Sequence, residues 1–349
     1  MQTIVVGINH KTAPIEVREK FYLSDMEQDL LLSELKCNPA IIEALALSTC
    51  NRTEIYAHVF EDRNYFPYLI RLLAGIKKLP FTSETPKNFY VHADQEAVRH
   101  LFCVAAGIDS LILGEKQILG QVRSSVERGR KFAMFAKEFN ILADQVLRVG
   151  KKARAQTQIS YGGSSVSWAA VVKAESLLGP LNDKSVLIIG AGKMGKLTSN
   201  QAFTRRTGRL FIMNRTRSVA VDLAKRFKGT VAEFCDIKDV LSQVDVVICS
   251  VGAPHYIIET GLVEKAMSAR DERPLVLIDI SMPRNIDPAV AAVPNVKLFH
   301  IDDLEEVVSA TMTRRKQAIV QVEAMIDSGV AAYYRKIRKV RQDPEFSTR

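Results

Sequence analysis

A glycine-rich turn between a short apolar run and a predicted helix constrains the fold of this chain more than any other feature. Residues 185–189 read Ser-Val-Leu-Ile-Ile, which is typical of a buried strand, and a Gly-x-Gly-x-x-Gly motif follows directly. Glycines at this spacing permit a tight turn and let backbone amides approach a pyrophosphate at the N-terminus of the next helix. The strand–turn–helix context predicts a dinucleotide site. Its candidate cofactor-binding residues are Gly190, Ala191, Gly192, Lys193, Met194 and Gly195.

Three later apolar runs extend a pattern of alternating strands and helices. Strands are predicted at 209–213, 245–249 and 275–279, with helical stretches between them. This alternation predicts a parallel, doubly wound sheet with helices on both faces.

The end of the second predicted strand indicates which dinucleotide is bound. NAD-selective sites place an acidic residue there, about 20 residues after the glycine motif. Here Asn214 holds the position, and Arg215, Thr216 and Arg217 follow. Because guanidinium groups pair with a 2′-phosphate and no carboxylate repels it, NADPH is favoured. The alternative is that these arginines only form the solvated start of a helix. Asn214, Arg215 and Thr216 are added to the candidate cofactor-binding residues.

The first ninety residues mix short strand-like and helical runs, which predicts a small α+β domain. Strands are expected at 4–8 and 54–60, and Ser24 or Asp25 is expected to cap a helix between them. From Asp94 onward the apolar residues recur at the spacing that is typical of helices.

Helices are expected at 95–106, capped by Asp94, and then at 115–133 and 137–157. Beyond Asp302 the chain is again helical and polar, and it ends in a basic stretch.

Composition excludes several classes of protein. Of the 349 residues, 47% are hydrophobic and 25% are charged, no apolar run approaches the ~20 residues that span a bilayer, and the N-terminus lacks a secretion-signal pattern. The five cysteines form no Cys-x-x-Cys pair, which argues for a reducing, cytoplasmic setting and against a metal site. The net charge of +9 suits a polyanionic partner and equally suits a basic cytosolic enzyme.

Cys50 is the candidate nucleophile. It lies in a polar loop after an apolar run and near Arg52, a setting that favours a thiolate, whereas the other four cysteines lie in apolar or helical surroundings. Spacing alone leaves a structural Cys50 at least as favoured. A dinucleotide site in the same chain favours catalysis, because a cysteine thioester accepts hydride and a free carboxylate does not.

Motifs spread over about residues 1–332 are similar to those of one enzyme family. On these segments the chain resembles glutamyl-tRNA reductase, which opens the five-carbon route to tetrapyrroles. The segments are Gly7–Pro14 (GINHKTAP), Ser48–Glu54 (STCNRTE), His100–Phe102, Gly107–Ser110, Gly114–Val122 (GEKQILGQV), Gly190–Gly195, Asn214–Thr216 and Asp279–Ile286 (DISMPRNI).

The resemblance implies an NADPH-dependent oxidoreductase that converts glutamyl-tRNA(Glu) to glutamate-1-semialdehyde and free tRNA. It implies that Cys50 forms a glutamyl thioester and that His100 matches a histidine important for activity. Arg52 would pair with the substrate carboxylate and Glu115 with its ammonium group. The substrate-binding residues implied are Thr49, Asn51, Arg52, Ser110, Glu115, Lys116, Gln117 and Gln121.

The resemblance also implies domains and partners. It predicts an α/β multidomain protein: an N-terminal α+β catalytic domain (1–157), a doubly wound Rossmann NADPH-binding domain (158–302) and a long C-terminal linker helix (303–349). Family members continue into a helical dimerisation domain, which is expected to be absent or truncated here because the chain ends at Arg349. The homodimer expected for the family is therefore in question, and no membrane association is expected.

Two macromolecular partners are expected. Residues 121–154 carry nine Lys or Arg against three Asp or Glu, which suits the phosphates of glutamyl-tRNA. A solvated helix surface explains the same pattern equally well. The reactive aldehyde favours hand-over to a glutamate-1-semialdehyde aminomutase.

Two other functions stay open at this point. One is an NADP-dependent dehydrogenase of a small hydroxy or keto acid, with Cys50 structural. The other is a non-catalytic regulator that binds tRNA and NADPH, against which the intact Thr49–Glu54 loop argues mildly.

Overall fold

Two compact units make up the chain in the computed structural model. The structure describes residues 1–60, 64–160, 165–305 and 312–342, without the side chains of 312–316. One unit comprises Met1–Gly162 with Thr311–Arg349, and the other comprises Gly163–Ala310. The C-terminal residues, expected as a separate part, thus group with the N-terminal ones. No helix in the described ranges combines the length and apolar character needed to cross a membrane.

The first unit is built on an antiparallel sheet of four strands in the order β2-β3-β1-β4. The strands are β1 (Gln2–Asn9), β2 (Ile41–Ser48), β3 (Arg52–Val59) and β4 (Tyr90–Ala93). The predicted strand at 4–8 is confirmed within β1, and the one at 54–60 is confirmed over 54–59, because β3 ends at Val59. β2 and β3 form a hairpin in which Ser48 lies opposite Thr53. The Cys50 loop is therefore the turn of this hairpin.

Six α-helices lie among the described residues of this unit up to residue 160. They are α1 (Ile15–Phe21), α2 (Asp25–Cys37), α3 (Phe66–Ile76), α4 (Asp94–Ala106), α5 (Ile118–Lys131) and α6 (Lys137–Gln156). Ser24 caps α2 as predicted, in a reciprocal capping box with Glu27. The predicted cap of α4 is wrong, because Asp94 is its first helical residue and Ala93 precedes it without a side-chain hydrogen bond. α5 begins at Ile118 rather than at residue 115.

The second unit contains a six-stranded sheet in which every strand pairing is parallel. Its strands are β5 (Ser185–Ile189), β6 (Arg209–Met213), β7 (Thr230–Ala232), β8 (Val246–Cys249), β9 (Leu275–Asp279) and β10 (Val296–His300). Its helices are α7 (Val166–Leu178), α8 (Lys193–Thr204), α9 (Arg217–Phe227), α10 (Ile237–Gln243) and α11 (Thr260–Met267).

The strand order β7-β6-β5-β8-β9-β10 is that of two βαβαβ halves wound in opposite directions. The doubly wound Rossmann sheet predicted from the sequence is confirmed. β5 and β8 meet at the point where the order reverses, and ligands of such sheets bind beyond the carboxyl ends of the strands there. The glycine motif follows β5 at this point.

The last described helix, α12 (Met312–Gln342), packs on α4 and α6 of the first unit. Its buried stripe repeats every three or four residues, as expected for one face of a helix. The stripe consists of Ala318, Val322, Ile326, Val330, Tyr333 and Ile337. A Cβ at Gly329 would lie 2.7 Å from Val149 and 2.8 Å from Phe102, so the small residue permits close approach. Of the helix predicted beyond Asp302, residues 306–311 lie outside the described ranges.

Candidate functional site

Cys50 lies at the tip of the β2–β3 turn, which the side chain of Thr49 closes. The Thr49 amide donates to the Arg52 carbonyl at 2.8 Å, and the Thr49 Oγ1 atom accepts from the amides of Asn51 and Arg52 at 3.2 Å each. Because these amides are satisfied locally, the turn needs no partner on its outer side. The half-buried Cys50 thiol is thereby presented at the end of a rigid hairpin.

Arg18 hydrogen-bonds to the Cys50 turn, and the sequence analysis did not identify it as a residue of the site. Its buried guanidinium donates from Nη1 to the Cys50 carbonyl at 3.4 Å and to the Asn51 Oδ1 atom at 3.3 Å. Tyr22 also lies near the thiol, since burial and then the charge of Cys50 raise the pKa of its phenol. Arg18 lies on α1, and Tyr22 is the extended residue that directly follows this helix.

The strand after the turn begins with a buried ion pair. Arg52 and Glu54 are 2% and 0% exposed, and Arg52 Nη1 lies 2.7 Å from Glu54 Oε1 and 2.9 Å from Asp109 Oδ2. Arg52 also donates to the Asp109 carbonyl, and Lys11 pairs with the Asp109 carboxylate. Two cations and two carboxylates thus meet in one cluster, which balances its charge.

His100 enters this cluster from α4. Its Nε2 atom lies 3.0 Å from Glu54 Oε1 and 3.3 Å from the Tyr90 hydroxyl. Tyr56 donates to the other Glu54 oxygen at 2.7 Å, and Tyr90 donates to Oε1. Glu54 therefore accepts hydrogen bonds from both sides, and this orients the imidazole of His100.

The electrostatics of the cluster keep Glu54 ionised. Burial alone would raise the pKa of Glu54, but Arg52 and then His100 hold it well below its usual range. Burial would likewise lower the pKa of Arg52, and Glu54 raises it instead. His10 differs, because burial and then the charges of Arg52 and Lys11 lower its pKa to about 4. A neutral imidazole therefore stands beside Arg52 at neutral pH.

Asp109 belongs to the loop between α4 and α5, which also carries predicted substrate residues. The backbone is left-handed at Gly107 and Gly114, and the Gly114 amide donates to the Gly107 carbonyl at 2.8 Å. A Cβ at Gly114 would lie 1.8 Å from the Ile159 carbonyl oxygen, so no other residue fits there without a backbone shift. Arg154 donates to the Glu115 carbonyl at 3.0 Å. These contacts define the path of the loop.

The structure brings some of the predicted site residues together and leaves others apart. Thr49, Asn51 and Arg52 share the turn with Cys50, and His100 joins them through Glu54. The remaining residues lie along the α4–α5 loop and the first turn of α5. They are half-buried Ser110, Glu115 and Gln121, buried Gln117 and exposed Lys116. Arg52, expected to meet a substrate carboxylate, is already paired with two carboxylates of the chain.

The dinucleotide loop of the second unit has the shape of a phosphate cradle. Gly190 has a φ of 103°, and a Cβ at Gly195 would lie 1.8 Å from the Gly190 carbonyl oxygen, so both positions require glycine. Gly192 precedes α8, and a Cβ there would meet nothing within 4 Å. The open space before the helix N-terminus fits a dinucleotide pyrophosphate.

The predicted residues at the end of β6 make different contacts. Asn214 accepts from the Ala191 amide at 3.1 Å and donates to the Thr216 carbonyl at 3.0 Å, so its side chain braces the loop. Arg217 pairs with Glu233 at 2.7 Å. Arg215 is exposed, and no carboxylate in the described ranges pairs with it. Lys193 and Thr216 are also exposed, and Met194 is half-buried.

Comparisons with known proteins agree with these two units. Residues 6–157 match the family model "Glutamyl-tRNAGlu reductase, N-terminal domain", and residues 172–307 match "Shikimate / quinate 5-dehydrogenase". The chain is 40% identical over 333 residues to glutamyl-tRNA reductase of Bacillus pumilus and 38% identical to that of Bacillus subtilis. Each alignment covers 95% of this chain and 73% of the relative.

One solved structure is similar along nearly the whole chain. Glutamyl-tRNA reductase from Methanopyrus kandleri superposes with a TM-score of 0.53 at 32% identity, covering 97% of this chain and 81% of that one. The match to the dehydrogenase family and the cradle after β5 establish a nucleotide-cofactor domain in the second unit.

Replacing Glu54 with Gln tests how far the cluster supports the fold. Glu54→Gln leaves Arg52 without its closest buried countercharge, so we expect the free energy of unfolding to fall by about 3–5 kcal/mol. The pKa of Glu54 lies below its ordinary value of 4.5, so the stabilisation is present above that pH and is lost on acidification. Denaturant unfolding at several pH values measures both effects.

The matched control is Glu84→Gln, which removes an exposed pair with Lys87 at 2.8 Å. It should change stability by less than about 1 kcal/mol. Equal losses of stability in the two variants would show that the buried Arg52–Glu54 pair contributes no more than an exposed ion pair.

Proposed function

The chain belongs to the glutamyl-tRNA reductase family, and from that premise we propose that it reduces glutamyl-tRNA(Glu) with NADPH through a thioester on Cys50. It is an oxidoreductase, and the family acts in the first step of tetrapyrrole synthesis. The single observation that carries the mechanism is the geometry of Cys50, a thiol at the tip of a braced turn.

Acylation is the first step. The Cys50 sulfur attacks the carbonyl carbon of the aminoacyl ester, the C–O bond to the tRNA breaks, and the ribose oxygen leaves with a proton. His100 is the proposed proton donor because Glu54 contacts its Nε2 atom at 3.0 Å and orients the imidazole. Arg18 holds the backbone of the turn during this step. Both are proposed to act on the same thioester-forming step.

Reduction follows on the same sulfur. The Gly192 turn and the first amides of α8 would hold the pyrophosphate of the dinucleotide, and Arg215 would pair with the 2′-phosphate. Bound NADPH supplies the hydride that reduces the thioester carbonyl. The C–S bond then breaks, Cys50 leaves as thiolate, and glutamate-1-semialdehyde is released. Gly190, Ala191, Lys193, Met194, Gly195, Asn214 and Thr216 are proposed to complete the cofactor site.

Substrate recognition uses the α4–α5 loop and the turn. The proposed contacts are Thr49, Asn51, Arg52, Ser110, Glu115, Lys116, Gln117 and Gln121. Because Arg52 already pairs with Asp109, a substrate carboxylate that binds Arg52 must compete with Asp109. Glu115 would accept the substrate ammonium, which needs a carboxylate when it is desolvated.

Binding of the tRNA is proposed on α5 and α6. Arg128 pairs with Asp25 and Asp29, and Arg154 binds backbone carbonyls, so these two are engaged within the chain. Six exposed cations lie on the two helices, namely Arg123, Arg130, Lys131, Arg148, Lys151 and Lys152, and of these Arg130 also donates to the Asn140 side chain at 2.8 Å. We further propose a cytoplasmic reaction and delivery of the aldehyde to an aminomutase.

Cys50→Ser tests the nucleophile. We expect aldehyde release from glutamyl-tRNA with NADPH to fall at least about a thousandfold, since a weak oxygen nucleophile replaces the thiol. NADPH and tRNA binding should persist. The control is Cys37→Ser, at an exposed position at the end of α2, which should keep full activity. Substantial aldehyde formation by the Cys50 variant would overturn the thioester mechanism.

Arg215→Gln tests cofactor selection against its neighbour. Loss of the guanidinium should raise the KM for NADPH about tenfold or more and leave the KM for NADH nearly unchanged. Arg217→Gln is the matched comparison, because that arginine already pairs with Glu233. It should alter the NADPH/NADH ratio of KM values much less. A larger effect at Arg217 would reverse the assignment.

A further inference from the structure

A cavity lies at the end of the four-stranded sheet opposite the Cys50 turn. It has a volume of about 790 Å³ and is lined by the start of β1, the end of β3, the first turns of α4 and α6, and the C-terminal half of α12. Thr3 pairs with His58 at this end, and Asn9 pairs with Arg52 at the other. Six residues of strand separate the two ends, about 20 Å at ~3.4 Å per residue. The cavity is therefore distinct from the proposed thioester site.

Positive charge predominates in this cavity. Two of its three carboxylates are paired with arginines, Glu138 with Arg341 at 2.9 Å and Asp327 with Arg99 at 3.4 Å, while Asp94 accepts from the neutral Gln2 amide at 3.1 Å. The exposed Arg335 and Arg338 also line it, and no carboxylate in the described part of the chain lies within ion-pair distance of either. Two guanidinium groups thus face the cavity with uncompensated charge.

The floor of the cavity carries a buried imidazole, that of His58. His58 is 2% exposed and its Nδ1 atom lies 3.2 Å from the Thr3 hydroxyl. Its Nε2 atom is buried and makes no hydrogen bond within the described residues, while the Glu138 carboxylate stands 3.5 Å away. Buried polar groups are normally satisfied, so an unpaired one in a cavity wall indicates a missing partner. A ligand acceptor would satisfy it.

Aromatic and apolar side chains provide the remaining wall. Tyr333 and the half-buried Tyr334 lie with their ring centroids 5.0 Å apart, next to Val330 and Ile337. The volume is in the range that holds a drug-sized or cofactor-sized molecule. Arginine is suited to bidentate phosphate binding, and tyrosine to contact with a planar ring.

We propose that this cavity binds a phosphorylated small molecule with a planar apolar group, of the size of a mononucleotide. Arg335 and Arg338 bind its phosphate, the Tyr334 side chain contacts its ring, and His58 donates to it from the floor. The proposal does not depend on the reaction at Cys50.

Calorimetric titration of the full chain tests the site, with inorganic pyrophosphate and AMP as probes and excess NADP⁺ present to fill the dinucleotide loop. Both probes should bind saturably, AMP more tightly because only it carries a ring. Arg335→Gln/Arg338→Gln should weaken both by at least about tenfold. Both side chains are exposed, so thermal unfolding should be unchanged.

The matched control is Lys336→Gln/Lys339→Gln, which removes two exposed cations of α12 that do not line the cavity. It should leave both affinities unchanged. Equal weakening by the two double variants would show that the loss of affinity comes only from the lower overall positive charge. That result would overturn the proposed site. If the protein binds pyrophosphate as tightly as AMP, the proposed contact between Tyr334 and the ring of the ligand is overturned. Because aldehyde formation is not measured, this binding test can succeed or fail independently of the proposed reductase function.

Discussion

The buried pair between Arg52 and Glu54 is the interaction on which the candidate site depends. A charged group enclosed by protein is costly unless it is paired and hydrogen-bonded, and these two side chains satisfy each other at 2.7 Å. Arg52 is also the last residue of the Cys50 turn. Any change that moves the pair therefore moves the end of the turn that presents the thiol.

The same pair joins segments that are far apart in sequence. Glu54 receives hydrogen bonds from Tyr56 on its own strand and from Tyr90 on β4, and it contacts His100 on α4. Arg52 reaches Asp109, whose loop is held by Arg154 of α6. The sheet, α4 and the loop with the proposed substrate contacts thus converge on one charge cluster, and α6 holds that loop. Through this convergence the proposed proton donor, His100, and the proposed nucleophile, Cys50, would act on one ester from different elements.

The second unit was predictable because its determinants are local. The glycine spacing is dictated by contacts within six residues, as the 1.8 Å approach of a Gly195 Cβ to the Gly190 carbonyl shows. β2 was missed because Ala, Leu and Glu dominate Ile41–Ser48 and favour helix, whereas burial on both faces makes it a strand. Asn214 stays a proposed cofactor contact, and its side-chain amide also braces the glycine loop.

The charge cluster itself could not be derived from spacing. Asp109 follows Arg52 by fifty-seven positions, and nothing in either local pattern indicates that they meet. Arg18 lies on an ordinary helix and Tyr22 directly follows it, and only the fold brings them to Cys50. The candidate residues of the turn came instead from the resemblance of whole motifs. Sequence resemblance identified the residues, and the structure adds the partners that position them.

Direct trapping of the acyl-enzyme tests the central claim. Glutamyl-tRNA is mixed with the protein in the absence of NADPH, the mixture is quenched in acid, and peptides are examined by mass spectrometry. The account predicts a glutamyl adduct on the peptide that contains Cys50, labile to hydroxylamine as a thioester is, together with stoichiometric release of tRNA. An adduct on another residue, or aldehyde formation on adding NADPH without any adduct beforehand, would contradict it.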